Sequence, residues 1–190
     1  MMLSQMSLTN HLLIATPSIQ NPDFSHTVIY VCEHHAHGTV GLIINRPMKQ
    51  SLGLVFEQLQ IMPTQAVTNH LPLLFGGPIQ PERGFVIHRP RGQWHSSLEL
   101  LPNDVSITTS NDIIRAIAHD EGPKDALVTM GYVAWLDNQL EDEIINQGAW
   151  LVVPFKADLL YDVPFERRWE AAGLTIGVNM NELIMGAGHA

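Results

Sequence analysis

The chain has 190 residues, of which 45% are hydrophobic and 15% are charged, and its formal net charge at pH 7 is −9. This length and composition fit one globular domain, residues 1–190, and exclude an intrinsically disordered chain. The acidic balance argues against nucleic-acid binding, because the 10 lysines and arginines are scattered along the chain instead of forming a basic cluster.

The first half of the chain is predicted to consist mainly of strands. Apolar runs of strand length, rich in β-branched residues, are typical of central strands that are covered on both faces. Such runs lie at residues 12–16, 28–32 and 40–44. Gly38 stands where a hairpin between the last two runs needs positive φ. Ser51 can then cap a helix that ends near Leu59.

The second half adds more strands and three helices. Strands are predicted at residues 73–75, 84–88, 98–101, 105–108, 126–133 and 149–153. Helices are predicted after a cap at Thr109 or Ser110, after a cap at Asp137, and around Trp169, where Gly173 ends the helix. The remainder, to Ala190, is predicted to be a loop. Because strands outnumber helices and often follow one another directly, the order predicts an α+β fold with a mixed or antiparallel sheet.

Several segments resemble a known family when they are taken together in chain order. They are Leu13-Ile-Ala-Thr-Pro, Val31-Cys-Glu-His, Gly41-Leu-Ile-Ile-Asn-Arg-Pro, Gly76-Gly-Pro, Arg83-Gly-Phe-Val-Ile-His, Gly131-Tyr-Val-Ala-Trp and Gln139-Leu-Glu-Asp-Glu-Ile. The chain thereby resembles the AlgH/YqgE family of bacterial proteins over nearly its whole length. The resemblance implies a largely antiparallel, bifurcated sheet that is partly closed into a small barrel and flanked by helices. It implies no established activity, although one member carries a label as a transcriptional regulator.

Asn45-Arg46 and Gly76-Gly77 are candidate binding residues. Asn45 and Arg46 follow a buried strand, where they can hydrogen-bond a carboxylate or phosphate, the arginine bidentately. The structural alternative is that Asn45 satisfies turn backbone and Arg46 pairs with a surface acid. Gly76 and Gly77 permit a close backbone approach, either to a ligand or to a neighbouring strand.

An acidic helix and a histidine-rich turn supply the other candidates. Glu143 is expected to share a helical face with Gln139 and can act as a base or metal ligand if that face lines a cleft. The alternative is a solvated first turn that stabilises its own helix dipole. His34, His35 and His37 could bind a metal, but a polar hairpin turn is the preferred interpretation because no Asp or Cys lies beside them. We therefore predict no metal site and no cofactor.

Three functional hypotheses follow from these features. The preferred one is a non-enzymatic binding or regulatory protein with an unknown protein or small-molecule partner. The second is an enzyme, for example a hydrolase, that uses a pocket near Asn45 and Arg46 together with Glu143. A DNA-binding regulator ranks last. The single Cys32 and the absence of a signal-like or membrane-spanning segment predict a cytoplasmic protein without membrane contact, either a monomer or a homodimer.

Overall fold

The computed structural model describes residues 6–100 and 104–188, and within them it contains ten strands and six α-helices. The strands are β1 (His11–Ala15), β2 (Val28–His35), β3 (Gly38–Ile43), β4 (Pro47–Ser51), β5 (Pro72–Phe75), β6 (Ile79–Arg89), β7 (Ser97–Leu100), β8 (Val105–Thr108), β9 (Asp125–Trp135) and β10 (Trp150–Pro154). The helices are α1 (Leu52–Gln58), α2 (Asn111–Ala118), α3 (Gln139–Ile145), α4 (Ala157–Tyr161), α5 (Arg168–Leu174) and α6 (Met180–Ala187).

The strands form one sheet that branches at β9. The main path runs β10-β1-β2-β3-β9-β6-β8-β7, and every neighbouring pair on it is antiparallel. The second branch leaves β9 through β5, which pairs with β9 in parallel and with β4 in antiparallel orientation. The main path curls into a half-barrel. The predicted α+β class with a bifurcated, partly closed sheet is therefore confirmed.

Glycines allow the branch. Gly131 lies in β9 between the residues that pair with β5 and those that pair with β3, and its φ is +75°. A Cβ atom there would lie 2.1 Å from the carbonyl oxygen of Gly77, and one on Gly77 would lie 2.2 Å from the carbonyl of Tyr132. Because no side chain fits in either place, glycine at both positions lets the two branches approach each other.

The central strands are apolar on both faces because each face covers a separate core. Tyr30 in β2 belongs to the core inside the curled sheet, which α4 and α5 close with Leu160 and Trp169. Ile29 and Val31 point the other way, into a core completed by Leu140 of α3. A third core packs α1 and α2 against β6 and β9. The continuous apolar runs thus indicated two-sided burial correctly.

Three predicted helix caps differ from the structure in detail. Ser110 holds the N-cap position of α2, but its hydroxyl bonds the His95 carbonyl oxygen and the Asp112 carboxylate and caps no helical N–H. Ser51 precedes α1, but its hydroxyl donates to the carbonyl oxygen of Asn69 at 2.6 Å and caps no helical N–H. The N-cap position of α3 is Asn138, one residue after the predicted Asp137, and its φ is +57°. In place of a cap, the Gln139 side chain accepts from the Leu136 N–H at 2.9 Å.

Three elements were missed. Strand β4 begins at Pro47, in a stretch for which the sequence predicted no strand, and α4 lies in a stretch without a helical prediction. The segment predicted as a loop up to Ala190 contains α6, so that prediction is wrong within the described residues. The helix forms because Asn179 accepts from the Asn181 N–H at 3.1 Å and because Met180 is buried against Gly173. Leu101 of the predicted strand 98–101, and residues 189 and 190, lie outside the described residues.

Candidate functional site

The open end of the half-barrel forms a cleft of about 390 Å³ on the concave face of the sheet. We call it the barrel mouth. Its apolar walls come from Leu42 of β3, Phe85 of β6, Leu98 of β7 and Ile107 of β8, while Tyr132 of β9 completes the floor. The Phe85 and Tyr132 rings meet edge to face, with centroids 5.9 Å apart. A concave and largely apolar cleft at the mouth of a curled sheet is a typical position for a ligand.

Charged groups stand at the rim of the barrel mouth. The Arg83 guanidinium lies 5.2 Å above the centre of the Phe85 ring, and among the described residues no carboxylate oxygen lies within 4.0 Å of its nitrogens. Glu33 is 3.8 Å from the exposed ring of His35. Hydroxyl groups of Ser96 and Thr109 also line the cleft. The mouth therefore combines an apolar interior with a cation at its edge that pairs with no carboxylate of residues 6–100 and 104–188.

Cys32 lines the barrel mouth but is a poor nucleophile. Its side chain is buried, and its thiol lies 3.6 Å from the carbonyl oxygen of Tyr30. Burial, followed by the nearby charge of Glu33, raises the pKa of the Cys32 thiol. A thiol that stays in its neutral form contributes apolar surface to the cleft and is not a reactive group.

Asn45 and Arg46 lie at a different, more polar cleft. Asn45 accepts from the Val28 N–H at 2.9 Å and donates to the His26 carbonyl oxygen at 2.8 Å. Arg46 donates to the carbonyl oxygens of Pro22 and Ser25. Asn45 thus has the backbone role that was its structural alternative, whereas Arg46 binds backbone carbonyls and not the surface acid considered for it. Both also line a cleft of about 520 Å³, which we call the Arg46 cleft.

Gly76 and Gly77 approach a neighbouring strand. The Gly76 N–H donates to the Met130 carbonyl oxygen at 2.7 Å, and its own carbonyl accepts from Ile43 at 2.8 Å. Together with the contact between Gly77 and β9, these bonds tie the two sheet branches together. Of the two alternatives that the sequence left open, the geometry matches the strand contact.

Glu143 lies against two tryptophans. One carboxylate oxygen accepts from the indole N–H of Trp135 at 2.9 Å and of Trp150 at 2.8 Å. The other oxygen accepts from Gln139 at 3.0 Å, so the two residues share a helical face as expected. Because three donors surround the carboxylate, Glu143 fixes α3 against the sheet. It also lines a third cleft, of about 310 Å³.

The histidines of the β2–β3 hairpin do not converge. His34 Nδ1 accepts from the Leu8 N–H at 3.1 Å, which places the hydrogen on Nε2, 2.7 Å from Glu141 Oε1. His35 and His37 are exposed and lie 3.8 and 3.9 Å from Glu33 and Asp137. Across residues 6–100 and 104–188, no three His, Cys, Asp or Glu side chains are grouped as a metal site requires.

One buried histidine forms a chain of hydrogen bonds that ends at Ser97, a residue that lines the barrel mouth. His88 lies 2.8 Å from the Thr108 hydroxyl, which lies 2.6 Å from the Ser97 hydroxyl. Burial lowers the pKa of His88, although its contact with the Pro90 carbonyl opposes this effect. The ring is therefore held neutral, but Nδ1 contacts a backbone carbonyl where a catalytic triad would place a carboxylate.

Sequence reasoning did not identify the barrel mouth. Arg83, Phe85 and Tyr132 lie in segments that carried the family resemblance, but none was selected as a binding residue. The one available signal was the alternation along β6, which sends Phe85 and Ile87 to the interior core and Val86 to the opposite face. In the part of the chain that the structure describes, no helix is long and apolar enough to cross a membrane.

Comparisons with known proteins bear on the whole chain. A family model described as AlgH-like matches residues 12–181. A UPF0301 protein of Legionella pneumophila strain Corby is 62% identical over 184 residues, which are 97% of each chain. A UPF0301 protein of Saccharophagus degradans is 42% identical over 97% of this chain and 89% of its own length.

Solved structures give the same result. The solution structure of the AlgH protein from Pseudomonas aeruginosa matches with a TM-score of 0.79 and 39% identity, covering 98% of this chain and 97% of that one. A crystal structure of a protein from Corynebacterium diphtheriae, 18% identical, shares the fold with a TM-score of 0.69 over 92% of this chain and 90% of that one. Sequence and structure therefore agree that the chain belongs to the AlgH-like family, as its motifs indicated.

Proposed function

We propose that this protein is a non-enzymatic binding protein that takes up a small amphipathic anion in the barrel mouth. The observation that carries the proposal is an open, largely apolar cleft of about 390 Å³ with Arg83 at its rim, an arginine that forms no ion pair among the residues that the structure describes. Ligand sites of this kind are concave, mostly apolar and equipped with a few polar groups that set orientation.

The apolar walls suit a short hydrocarbon or aromatic group. Phe85 and Ile107 are buried, and Leu98 retains 37% of its exposure. A ligand that covers Leu98 removes apolar surface from water, which stabilises the complex by about 25 cal/mol for each Å². The hydrophobic effect thus favours a ligand whose tail enters between β3 and β8.

The rim suits an acidic head group. Arg83 has no carboxylate partner within the described chain, and a guanidinium binds a carboxylate, sulfonate or phosphate through paired hydrogen bonds. The hydroxyls of Ser96, Thr109 and Tyr132 can accept or donate further bonds to the head group. Glu33 disfavours an anion placed on its side of the mouth, which directs the head group towards Arg83.

Binding is favoured over catalysis by the chemistry of the lining. Burial raises the pKa of the Cys32 thiol, the nucleophilic group that lines the mouth. His88 reaches the mouth only through the hydroxyls of Thr108 and Ser97, and its Nδ1 contacts the Pro90 carbonyl oxygen instead of a carboxylate. The proposal includes a cytoplasmic location, which the buried free thiol supports because such compartments keep cysteine reduced. A regulatory role would follow if ligand occupancy changed contacts with a protein partner.

A fluorescence titration tests the proposal. The dye 8-anilinonaphthalene-1-sulfonate serves as an aromatic anion, and octanoate serves as a competitor. We expect octanoate to displace the dye from the wild type, and Arg83→Gln to weaken octanoate binding about tenfold because one charge-assisted contact is lost. Arg115→Gln, which removes an exposed arginine of α2 outside the clefts, is the matched control and should bind like the wild type.

Filling the mouth provides an independent variant. Leu98→Trp places a larger side chain at a half-open position, and Met62→Trp makes the corresponding change at a site that is 84% exposed. Only Leu98→Trp should prevent octanoate from displacing the dye. Unchanged octanoate binding in both Leu98→Trp and Arg83→Gln would show that the barrel mouth is not the site.

A further inference from the structure

We propose that the Arg46 cleft is a second ligand site, which binds a zwitterion of the amino-acid type, with an ammonium and a carboxylate group on neighbouring atoms. The site is separate from the barrel mouth and shares none of its lining residues. Its walls are the loop before β2, the residues that follow β3, and the α5–α6 region.

Arg46 is held in place at one wall of the cleft. It donates through Nη1 to the Pro22 carbonyl oxygen at 2.7 Å and through Nη2 to the Ser25 carbonyl oxygen. A guanidinium carries further N–H groups beyond these two bonds, and they have no partner within the described residues. A fixed arginine with donors to spare is preorganised for a carboxylate.

Two carboxylates share this cleft with Arg46 without pairing with it. Glu166 and Glu170 both line the cleft, yet neither has an oxygen within 4.0 Å of an Arg46 nitrogen. Glu170 accepts a hydrogen bond from Asn181 at 3.0 Å, which holds its carboxylate towards α6. Opposite charges in one cleft normally attract each other, and here the backbone bonds of Arg46 keep them apart.

A zwitterion satisfies both charges at once. Its carboxylate would bind Arg46, and its ammonium group would bind Glu166 and Glu170. The ligand would thus supply both groups with the opposite charge that they do not receive from each other. The lining carries one arginine and two glutamates, so a phosphate or a dicarboxylate would meet more repulsion than attraction. This charge balance is the reason to infer an ammonium group in the ligand.

The floor of the cleft is rigid and aromatic. Trp169 is 5% exposed, and its indole N–H donates to the Ala15 carbonyl oxygen at 2.8 Å. The His26 ring packs 4.3 Å from the Trp169 ring, and Asn45 holds the His26 carbonyl. A ligand side group can therefore rest on His26 and Phe165 without first ordering the loop.

Nuclear magnetic resonance can locate such binding. We would add each of the standard L-amino acids, up to about 10 mM, to ¹⁵N-labelled protein and follow the indole N–H signals. Trp169 lines the Arg46 cleft, whereas Trp135 and Trp150 line the cleft beside Glu143. We expect at least one amino acid to shift the Trp169 signal saturably and to leave the indole signals of Trp94, Trp135 and Trp150 unchanged.

Matched analogues and variants test the charge argument. The deaminated acid and the decarboxylated amine of the best-binding amino acid should each bind at least about tenfold more weakly, because each lacks one charge. Glu166→Gln with Glu170→Gln should weaken binding of the amino acid similarly but should not weaken binding of the deaminated acid, because that anion is then no longer repelled by two carboxylates. Glu57→Gln, an exposed carboxylate outside the cleft, is the control.

Distinct outcomes overturn the proposal. If no amino acid shifts Trp169, the cleft is not a zwitterion site, and if the deaminated acid binds as tightly as its parent, the ammonium contact is wrong. Arg46→Lys, checked by its unfolding curve, separates loss of the guanidinium from loss of the loop. Leu98→Trp should not affect this binding, so the result is independent of the proposal for the barrel mouth.

Discussion

Replacing Gly131 by alanine should be among the most damaging single changes in this protein. A Cβ atom at this position would lie 2.1 Å from the Gly77 carbonyl oxygen, which is backbone and belongs to the other branch of the sheet. The φ of +75° adds a second cost, because L-residues other than glycine lose about 1–2 kcal/mol in the left-handed region. Overpacking of a buried site adds about 1–3 kcal/mol. The expected loss is therefore about 2–5 kcal/mol.

Gly177 separates the two contributions. Its φ is +74°, almost the same as that of Gly131, but an added Cβ meets nothing within 4 Å. Gly177→Ala should therefore lose only the conformational part, about 1–2 kcal/mol. The difference between the two variants measures the collision between the branches.

Urea unfolding, followed by tryptophan fluorescence, provides the assay. Gly131→Ala should lower the midpoint by a clear margin beyond Gly177→Ala, with a similar dependence on urea concentration if both unfold in two states. Equal losses in the two variants would refute the reasoning that close backbone approach at the branch requires glycine.

Two further predictions concern side chains that fix helices. Glu143→Leu should lower the free energy of unfolding by about 1–3 kcal/mol, because the indole N–H groups of Trp135 and Trp150 lose their acceptor. Glu57→Leu, on an exposed helix face, is the control and should change the free energy of unfolding little. Equal losses in the two variants would contradict the role of the indole hydrogen bonds. Burial favours the neutral form of Asp112, but hydrogen bonds from Ser110 and His95 outweigh it and lower the pKa of Asp112 to about 2. The stability that the ionised Asp112 contributes is fully present above the unfolded pKa of about 3.9 and disappears as the pH falls through about 2. In urea unfolding, Asp112→Asn should therefore be less stable than the wild type above this interval, and the difference should vanish as the pH falls through it. A difference in unfolding free energy that does not change with pH would refute this.

The sequence predicted the strands well where burial is two-sided. Residues 105–108 coincide with β8, and the runs predicted at 12–16 and 40–44 lie within one or two residues of the limits of β1 and β3. The run predicted at 28–32 begins with β2 but ends three residues before it. Continuous apolar runs report burial on both faces directly, so little tertiary information is needed to identify them. The turn at Gly38 was equally local, since its φ of +136° suits only glycine.

The missed elements depend on contacts between distant parts of the chain. Strand β4 is polar and exposed at most of its positions, and it exists because it pairs with β5. Helix α6 depends on Met180 fitting against Gly173, a contact that no periodicity reveals. Ser51 looked like a helix cap because its partner, the Asn69 carbonyl, lies far along the chain.

The candidate sites, too, depend on contacts between distant parts of the chain that the sequence does not reveal. Arg46 was selected because an Asn-Arg pair at a strand end is conspicuous in a sequence. The carboxylates that share its cleft, Glu166 and Glu170, come from a helical region that follows more than a hundred residues later. Arg83 was not selected because an arginine two positions before a core phenylalanine is ordinary in an exposed strand end. What makes both arginines candidates for ligand binding is the absence of a carboxylate within 4.0 Å in the described residues, although acidic groups line the same clefts. Whether an arginine forms an ion pair with a nearby carboxylate depends on the three-dimensional arrangement of the two side chains. A sequence can therefore indicate a candidate arginine, but only a structure can show that its guanidinium is available to a ligand.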